Sequence, residues 1–259
     1  MRDLLETAID AATDAGSEVM RLYESTDFER KNDGSPVTLA DTRANEVITA
    51  KLEATGIAML SEESASIGHP YPERLWVIDP LDGTRDFIAK SGDFAVMVGL
   101  VENGRPVLGA VFLPVMRKLY FAERGGGAYG RDEKGERRLS VSARTEDLRF
   151  VRSGRHVDPR FDAVAKRLAA SVTARGSIGV KAGLIAEDES DFLLSWGKLG
   201  EWDVCAPEII LTEAGGEVTD AAGQPLRYGN PDHRIQNGMV FSNHACHERV
   251  LRAISEVNG

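Results

Sequence analysis

Residues 76–88, reading WVIDPLDGTRDFI, constrain this chain more than any other stretch. Leu75, Trp76, Val77 and Ile78 make a continuous apolar run of the kind that forms a buried strand. The run ends directly in two acids, Asp79 and Asp82, with Pro80 stiffening the backbone between them. Carboxylates at the mouth of a buried strand are costly unless something cationic compensates them. Oxygen ligands at such close spacing suit a hard cation such as Mg²⁺. Gly83 lets a backbone come near a ligand, and amides at a helix start favour an anion. Metal ligands beside a phosphate cradle point to metal-assisted phosphoryl chemistry.

The remaining segments divide into readable elements. Leu4, Leu5, Ala8, Ile9, Ala12, Val19, Met20 and Tyr23 recur at helical spacing, which predicts a long amphipathic helix over 3–24. The loop-like KNDGSP at 31–36 precedes a second helix over 39–52, with Thr38 as N-cap and Asp41 three residues on. A short strand over 57–60 leads into Glu62 and Glu63. Residues 94–101 and 106–113 form a hairpin through Asn103-Gly104, and the meander continues over 118–122 and ends at Gly125–Gly127. The polar stretch 131–147 is the candidate connection between an N-terminal unit, 1–140, and a C-terminal unit, 141–259. In the second unit the pattern predicts a strand at 148–152, a helix at 159–168, and strands near 182–186 and 192–194. Pro207 fits an opening turn, so the next helix is expected to begin near Asp203 and run to Ala214. A strand at 239–242 and a helix at 244–257 close the chain. Hairpins with interleaved helices predict layered α and β rather than a simple parallel sheet.

With 259 residues, 42% hydrophobic and 28% charged, there is ample material for a real core. A net charge of −10 argues against a nucleic-acid polymer or an anionic membrane as partner, but not against a small anion, because a divalent ion reverses the local sign. Two cysteines, Cys205 and Cys246, are too few for a disulfide framework, no apolar run approaches a membrane span, and MRDLLETAID is not a secretory signal. The expected location is the cytoplasm.

Taken singly, the remaining acids have ordinary explanations. Asp203 at a helix start serves as a cap, and Glu62 with Glu63 would be solvated loop acids. Together, Glu62, Asp79, Asp82 and Asp203 all lie at ends of apolar elements, where a fold could gather them into one cleft around divalent ions. His244 and His247, with Cys246 between them, lack further zinc ligands at the required spacing. Cys205 is expected to pack against a sheet. Arg85 either screens a phosphate or pairs with Asp86.

DPLDGT at 79–84, SEES at 61–64, EWDVCAPE at 201–208 and KNDGSPVTLAD at 31–41, in this order, resemble one family across nearly the whole chain. It comprises the magnesium-dependent, lithium-sensitive phosphatases that include inositol monophosphatases and 3′(2′),5′-bisphosphate nucleotidases. The resemblance implies an αβαβα sandwich with two sub-domains, the N-terminal one carrying most metal ligands and the C-terminal one carrying Asp203 and the specificity residues. It implies about two or three Mg²⁺ ions per site, held by Glu62, Asp79, the Leu81 carbonyl, Asp82 and Asp203. Glu62, Asp41 and Thr84 would serve catalysis, Thr84 holding the attacking water and Asp41 bonding its hydroxyl. The Gly83 and Thr84 amides would bind the scissile phosphate, with Asp82 and Asp203 also against the substrate. WDVCAPEIILTEAGGEVTD and DPLDGTRDFI look more like the nucleotidases than the inositol enzymes. On that resemblance Ser153 and His156 would face the nucleotide, although RSGRH departs from the family's turn there. Gly176, Ser177 and Lys181 would hold a non-scissile 5′-phosphate. The implied activity is hydrolysis of the 3′-phosphate of adenosine 3′,5′-bisphosphate. Alternatives are an inositol or broad sugar monophosphatase, and a non-catalytic protein that binds metal or a phospholigand. A homodimer is allowed.

Overall fold

The computed structural model describes residues 1–24, 28–30, 36–64, 67, 70–155, 158–197 and 199–258. The chain begins with helix α1 (Arg2–Arg21), a short pair β1 (Phe28–Arg30) and β2 (Pro36–Thr38), and helix α2 (Leu39–Glu53). Next come β3 (Ala58–Ser61), β4 (Arg74–Asp82), the one-turn helix α3 (Thr84–Ile88), β5 (Ala95–Glu102), β6 (Arg105–Leu113), β7 (Lys118–Glu123), β8 (Gly127–Asp132) and β9 (Gly135–Arg138). The second half runs through β10 (Arg149–Ser153), α4 (Pro159–Leu168), β11 (Ser171–Arg175), α5 (Ile178–Ala186), β12 (Phe192–Ser195), β13 (Leu199–Gly200) and α6 (Glu201–Glu213). It closes with β14 (Gly216–Thr219), β15 (Arg234–Ile235), β16 (Met239–Asn243), a 3₁₀ turn (His244–Cys246) and α7 (His247–Asn258).

β3 to β9 form a seven-stranded sheet in sequence order, with only the β3–β4 pair parallel. A five-stranded sheet has the order β11-β10-β12-β16-β14. Helices α1 and α2 cover the outer face of the large sheet, α5 and α6 lie between the sheets, and α4 with α7 covers the outer face of the small one. This is the layered αβαβα sandwich.

Strand alternation explains the layering. On β5, Val96, Val98 and Leu100 point to the α1 and α2 side, whereas Ala95, Met97 and Val101 join the core between the sheets. Each of the Val, Leu and Met side chains taken from water contributes about 1.5–3 kcal/mol. Residues with little or no side chain let the inner helices press close. A Cβ on Gly99 would sit 2.5 Å from the Cys205 sulfur of α6, so Cys205 does pack against the sheet. On α5, a Cβ on Gly183 would lie 2.3 Å from the Tyr120 ring, and one on Gly179 would lie 2.9 Å from Val111.

Several expectations are corrected. Residues 182–186 are the end of helix α5, not a strand. The helix is buried on nearly all sides between two sheets, so its sequence carries no amphipathic period to identify it. Gly125–Gly127 does not end the meander: the chain turns there and adds β8 and β9, which take up part of the expected connection at 131–147. Pro207 is not in an opening turn but seven residues into α6, which starts at Glu201. There it cannot donate to the Asp203 carbonyl, the usual i−4 partner. α1 ends at Arg21, three residues short of the expected span. Most of the 31–36 loop lies outside the described residues.

Candidate active site

The acids converge because β4 breaks its own alternation. Residues three apart on a regular strand face opposite sides. Asp79 pairs with Met97 and Asp82 with Ala95, so three steps on β4 match two on β5. The extra residue at Pro80–Leu81 is a bulge, where a proline is tolerated and where the parity of side chains is reset. Asp79 and Asp82 therefore aim into one site.

α6 brings the third acid from a distant part of the chain. Ligand oxygens of Asp79, Asp82 and Asp203 lie within 4.8 Å of one another. Asp203 is also the helix cap expected of it, accepting from the Gly200 N–H at 2.5 Å. Glu62 stands at the end of β3, next to β4, with its N–H donating to the Ile78 carbonyl at 3.2 Å. Burial first, then repulsion from Glu62, Asp82 and Asp203, pushes the Asp79 carboxyl well above its ordinary range. Asp203 is pushed up in the same way by burial, Glu62 and Asp82.

The donor set fits a divalent cation. One Asp79 oxygen accepts from the Leu81 N–H at 3.0 Å, whereas its other oxygen is buried with no hydrogen-bond partner among the described residues. A buried orphan carboxylate oxygen facing two further carboxylates is a cation site by the chemistry of its ligands.

Beside the acids, Gly83 turns the chain into α3 at φ +97°, a conformation in the left-handed region that favours glycine. A Cβ there would come within 2.8 Å of the Asp93 carbonyl. The Thr84 hydroxyl donates to Asp41 Oδ1 at 2.9 Å and also lies 3.3 Å from the Leu81 carbonyl. Asp41 is 1% exposed, and its second oxygen is held by the Thr38 N–H and hydroxyl at 2.7 and 2.6 Å, completing the expected capping box.

The residues expected to hold a second phosphate have other partners. The Ser177 hydroxyl donates to Asp82 Oδ2 at 2.5 Å and accepts from the Val180 N–H. The Gly179 N–H donates to the same Asp82 oxygen at 2.9 Å. The Gly176 N–H donates to Asp93. Lys181 is buried, and its ammonium donates to the carbonyls of Gly176 and Ser177. All three line the cleft, yet Ser177 and the Gly179 N–H fasten the start of α5 to Asp82 at the end of β4, Gly176 is tied to Asp93, and Lys181 is tied to carbonyls at its own helix start. Ser153 lines the cleft and accepts from the Arg155 N–H at 3.3 Å. His156 lies outside the described residues.

These groups surround a cleft of about 630 Å³. Sequence reasoning missed its far wall. Phe161 and Trp196 stack there at 5.4 Å between centroids, and Arg160, paired with Asp158, lies 4.1 Å from the centre of the Trp196 ring. It also missed the cross-links Asp86–Arg155 at 2.9 Å and Asp93–Arg175 at 2.7 Å, which join segments 69 and 82 residues apart. The one local signal was the acid before Phe87. Asp86 pairs with Arg155, not with Arg85. His247 is buried and bonded to Ser242 and Thr219, so it belongs to the packing.

Comparison with known proteins matches this geometry. Residues 1–258 match the model of the inositol monophosphatase family. A 3′(2′),5′-bisphosphate nucleotidase CysQ of Aggregatibacter actinomycetemcomitans is 36% identical over 249 residues, 92% of each chain. The crystal structure of CysQ from Bacteroides thetaiotaomicron, a bacterial member of the inositol monophosphatase family, superposes with a TM-score of 0.83 at 31% identity, covering 94% of this chain and 98% of that one. An IMPase of Thermotoga maritima superposes with a TM-score of 0.84 at 28% identity, covering 99% and 98%. By its match to the family model and by its relatives, the chain belongs to the inositol monophosphatase family and is a phosphoric monoester hydrolase.

Proposed function

We propose that this protein is a Mg²⁺-dependent phosphomonoesterase that hydrolyses adenosine 3′,5′-bisphosphate at its 3′-phosphate, giving AMP and inorganic phosphate. The observation that carries the catalytic part is the pairing of a buried three-acid cluster with a hydroxyl held by a buried carboxylate, Thr84 on Asp41. When bound by Asp79, Asp82, Asp203, Glu62 and the Leu81 carbonyl, divalent ions would acidify the attacking water and neutralise charge on the phosphate.

The chain's own groups supply the rest. Because the Thr84 hydroxyl donates its hydrogen bond to Asp41, its lone pairs remain to accept one from the water and fix its approach. Asp41 keeps that orientation because its other oxygen is locked by Thr38. The amides of Gly83 and Thr84 are the groups we assign to the scissile phosphate. A protein that only binds metal or phosphate would need neither Thr84 nor Asp41. We place the cleft between the 1–140 and 141–259 units. The two cysteines are buried and unpaired, which fits a cytoplasmic location.

The nucleotide reading is supported by the similarity to the bisphosphate nucleotidase of A. actinomycetemcomitans. The likeness to the IMPase of T. maritima favours a second reading, hydrolysis of an inositol phosphate. The test is kcat/KM with Mg²⁺ for adenosine 3′,5′-bisphosphate against inositol 1-phosphate. At least about a tenfold preference for the nucleotide is expected, equivalent to 1.4 kcal/mol of differential transition-state binding. A preference for the inositol ester would sink the nucleotide assignment.

A further inference from the structure

We infer that Arg85 is the specificity-determining cation of the cleft, the group that meets the second, non-reacting phosphate of the substrate. The inference rests on the bisphosphate reading of the same site and assigns that phosphate to a residue other than Lys181.

Charge placement carries the argument. Among the described residues, three cationic side chains line the cleft: Arg85, Arg155 and Lys181. Lys181 is 6% exposed, and its ammonium is spent on the carbonyls of Gly176 and Ser177 behind the Asp82 carboxylate. Arg155 donates through Nε to Asp86 Oδ1, which also receives the Ser91 hydroxyl. Asp86 is thus occupied. Arg85 is the residue after Thr84, on the first turn of α3, and is exposed to the cleft mouth. It makes no ion pair or side-chain hydrogen bond with any described residue.

An approaching bisphosphate meets a wall that is otherwise acidic, with Glu62, Asp82, Asp86, Asp158 and Asp203 all on the lining. A reacting phosphate at the Gly83 and Thr84 amides leaves the second phosphate a ribose away, at the rim where Arg85 projects. The guanidinium fork is suited to two phosphate oxygens at once, and forming that contact breaks no existing ion pair. A monophosphate ester has nothing to place there.

The experiment compares wild type, Arg85→Ala, Arg85→Lys and Arg155→Ala on adenosine 3′,5′-bisphosphate and adenosine 3′-monophosphate, with Mg²⁺. A charge-assisted contact of this kind sets the expected change. Arg85→Ala should lower kcat/KM for the bisphosphate about 10–100-fold more than for the monophosphate, mostly through KM. Arg85→Lys should recover part of the difference, since it keeps the charge but not the fork. Arg155→Ala should lower both substrates in parallel, because it releases Asp86. Parallel loss in Arg85→Ala overturns the inference, and so does a selective loss in Arg155→Ala alone. If wild type prefers the bisphosphate and Arg85→Ala retains that preference, the inference fails while the nucleotidase reading stands. If wild type shows no preference between the two esters, both fail.

Discussion

Asp79 and Asp191 are the same residue at the same depth, 1% and 0% exposed, and their surroundings are opposite. Among the described residues, the Asp191 carboxylate receives five hydrogen bonds. They come from the Ser142 hydroxyl, the Asn243 amide, and the backbone N–H, Nε and Nη2 of Arg149. Burial alone would raise its pKa, but the bonds from Arg149 and Ser142 outweigh burial and hold the carboxyl below its ordinary range. Among the described residues, Asp79 has one N–H partner, an orphan oxygen and like charges for neighbours. A protein that can build the first environment has the means to satisfy a buried acid. Leaving the second unsatisfied marks it as a place for something the chain itself does not provide. Satisfied burial is structure, and unsatisfied burial is function.

Substitutions should separate the two sites cleanly. The largest effect is expected from Asp79→Asn, which should cut kcat/KM by at least about a thousandfold, the loss of several kcal/mol of transition-state stabilisation. The same change should leave metal-free thermal stability unchanged or raised, because one of several repelling charges is gone. Mg²⁺ at about 100 times its Kd should stabilise wild type by about 2.7 kcal/mol, and this gain should vanish in the variant. A fully active Asp79→Asn enzyme would collapse the contrast.

Asp191→Asn should show the reverse, destabilising the fold by about 3–5 kcal/mol in urea titrations while the Mg²⁺-dependent stabilisation persists. If Asp191→Asn unfolds no more easily than wild type, its hydrogen bonds are not what makes it structural. A smaller loss, roughly 10–100-fold in kcat, is expected for Thr84→Ala, by analogy with other groups that orient a reacting partner. Metal affinity from calorimetry should change far less, and equal losses in both would remove the water-positioning role.

Glu208 is an intermediate case and should give the smallest effect. It is half-buried with one side-chain hydrogen-bond partner among the described residues, the Tyr228 hydroxyl at 2.6 Å, and burial pushes it up to about 7. Glutamate in the unfolded chain ionises near about pH 4.3. From there to about 7 the unfolded chain binds fewer protons than the fold, so stability falls as pH rises. The loss is complete above about 7, with an upper bound of about 4 kcal/mol, part of which a half-buried site realises. Glu208→Gln stays neutral, so its Tm should decline less between pH 5 and pH 8 than that of wild type. An identical decline would show that Glu208 does not titrate in this window.

What could be read from the sequence followed how locally each feature is encoded. The end of β4, the capping box at Thr38 and Asp41, and the Asn103-Gly104 hairpin are written in adjacent residues, and the structure has them. The strand β11, exposed along most of its length, has no apolar alternation to announce it. Helix α5 was misread because burial between two sheets erased its period, and the start of α6 because Pro207 obeyed tertiary packing over helix preference. The acid ligands stood out as a linear pattern, but the occupants of Asp86 and Asp93 did not. Their arginines arrive from the other half of the chain, and pairing at that distance leaves no local mark.

The glycines of α5 carry a consequence for how relatives of this protein vary. Asp82 reaches the Gly179 N–H only because the helix rests almost directly on the sheet, with the ring of Tyr120 filling the space beside Gly183. Helix, ring and carboxylate are thus one dimension of the molecule, measured in single methyl groups. A lineage that gains a methyl at position 183 must shrink the residue at 120, or lose the reach from α5 to Asp82 while every acid in the cleft remains. Positions 120 and 183 should therefore drift together, and an inventory of acids alone would count as intact an enzyme whose site has moved apart.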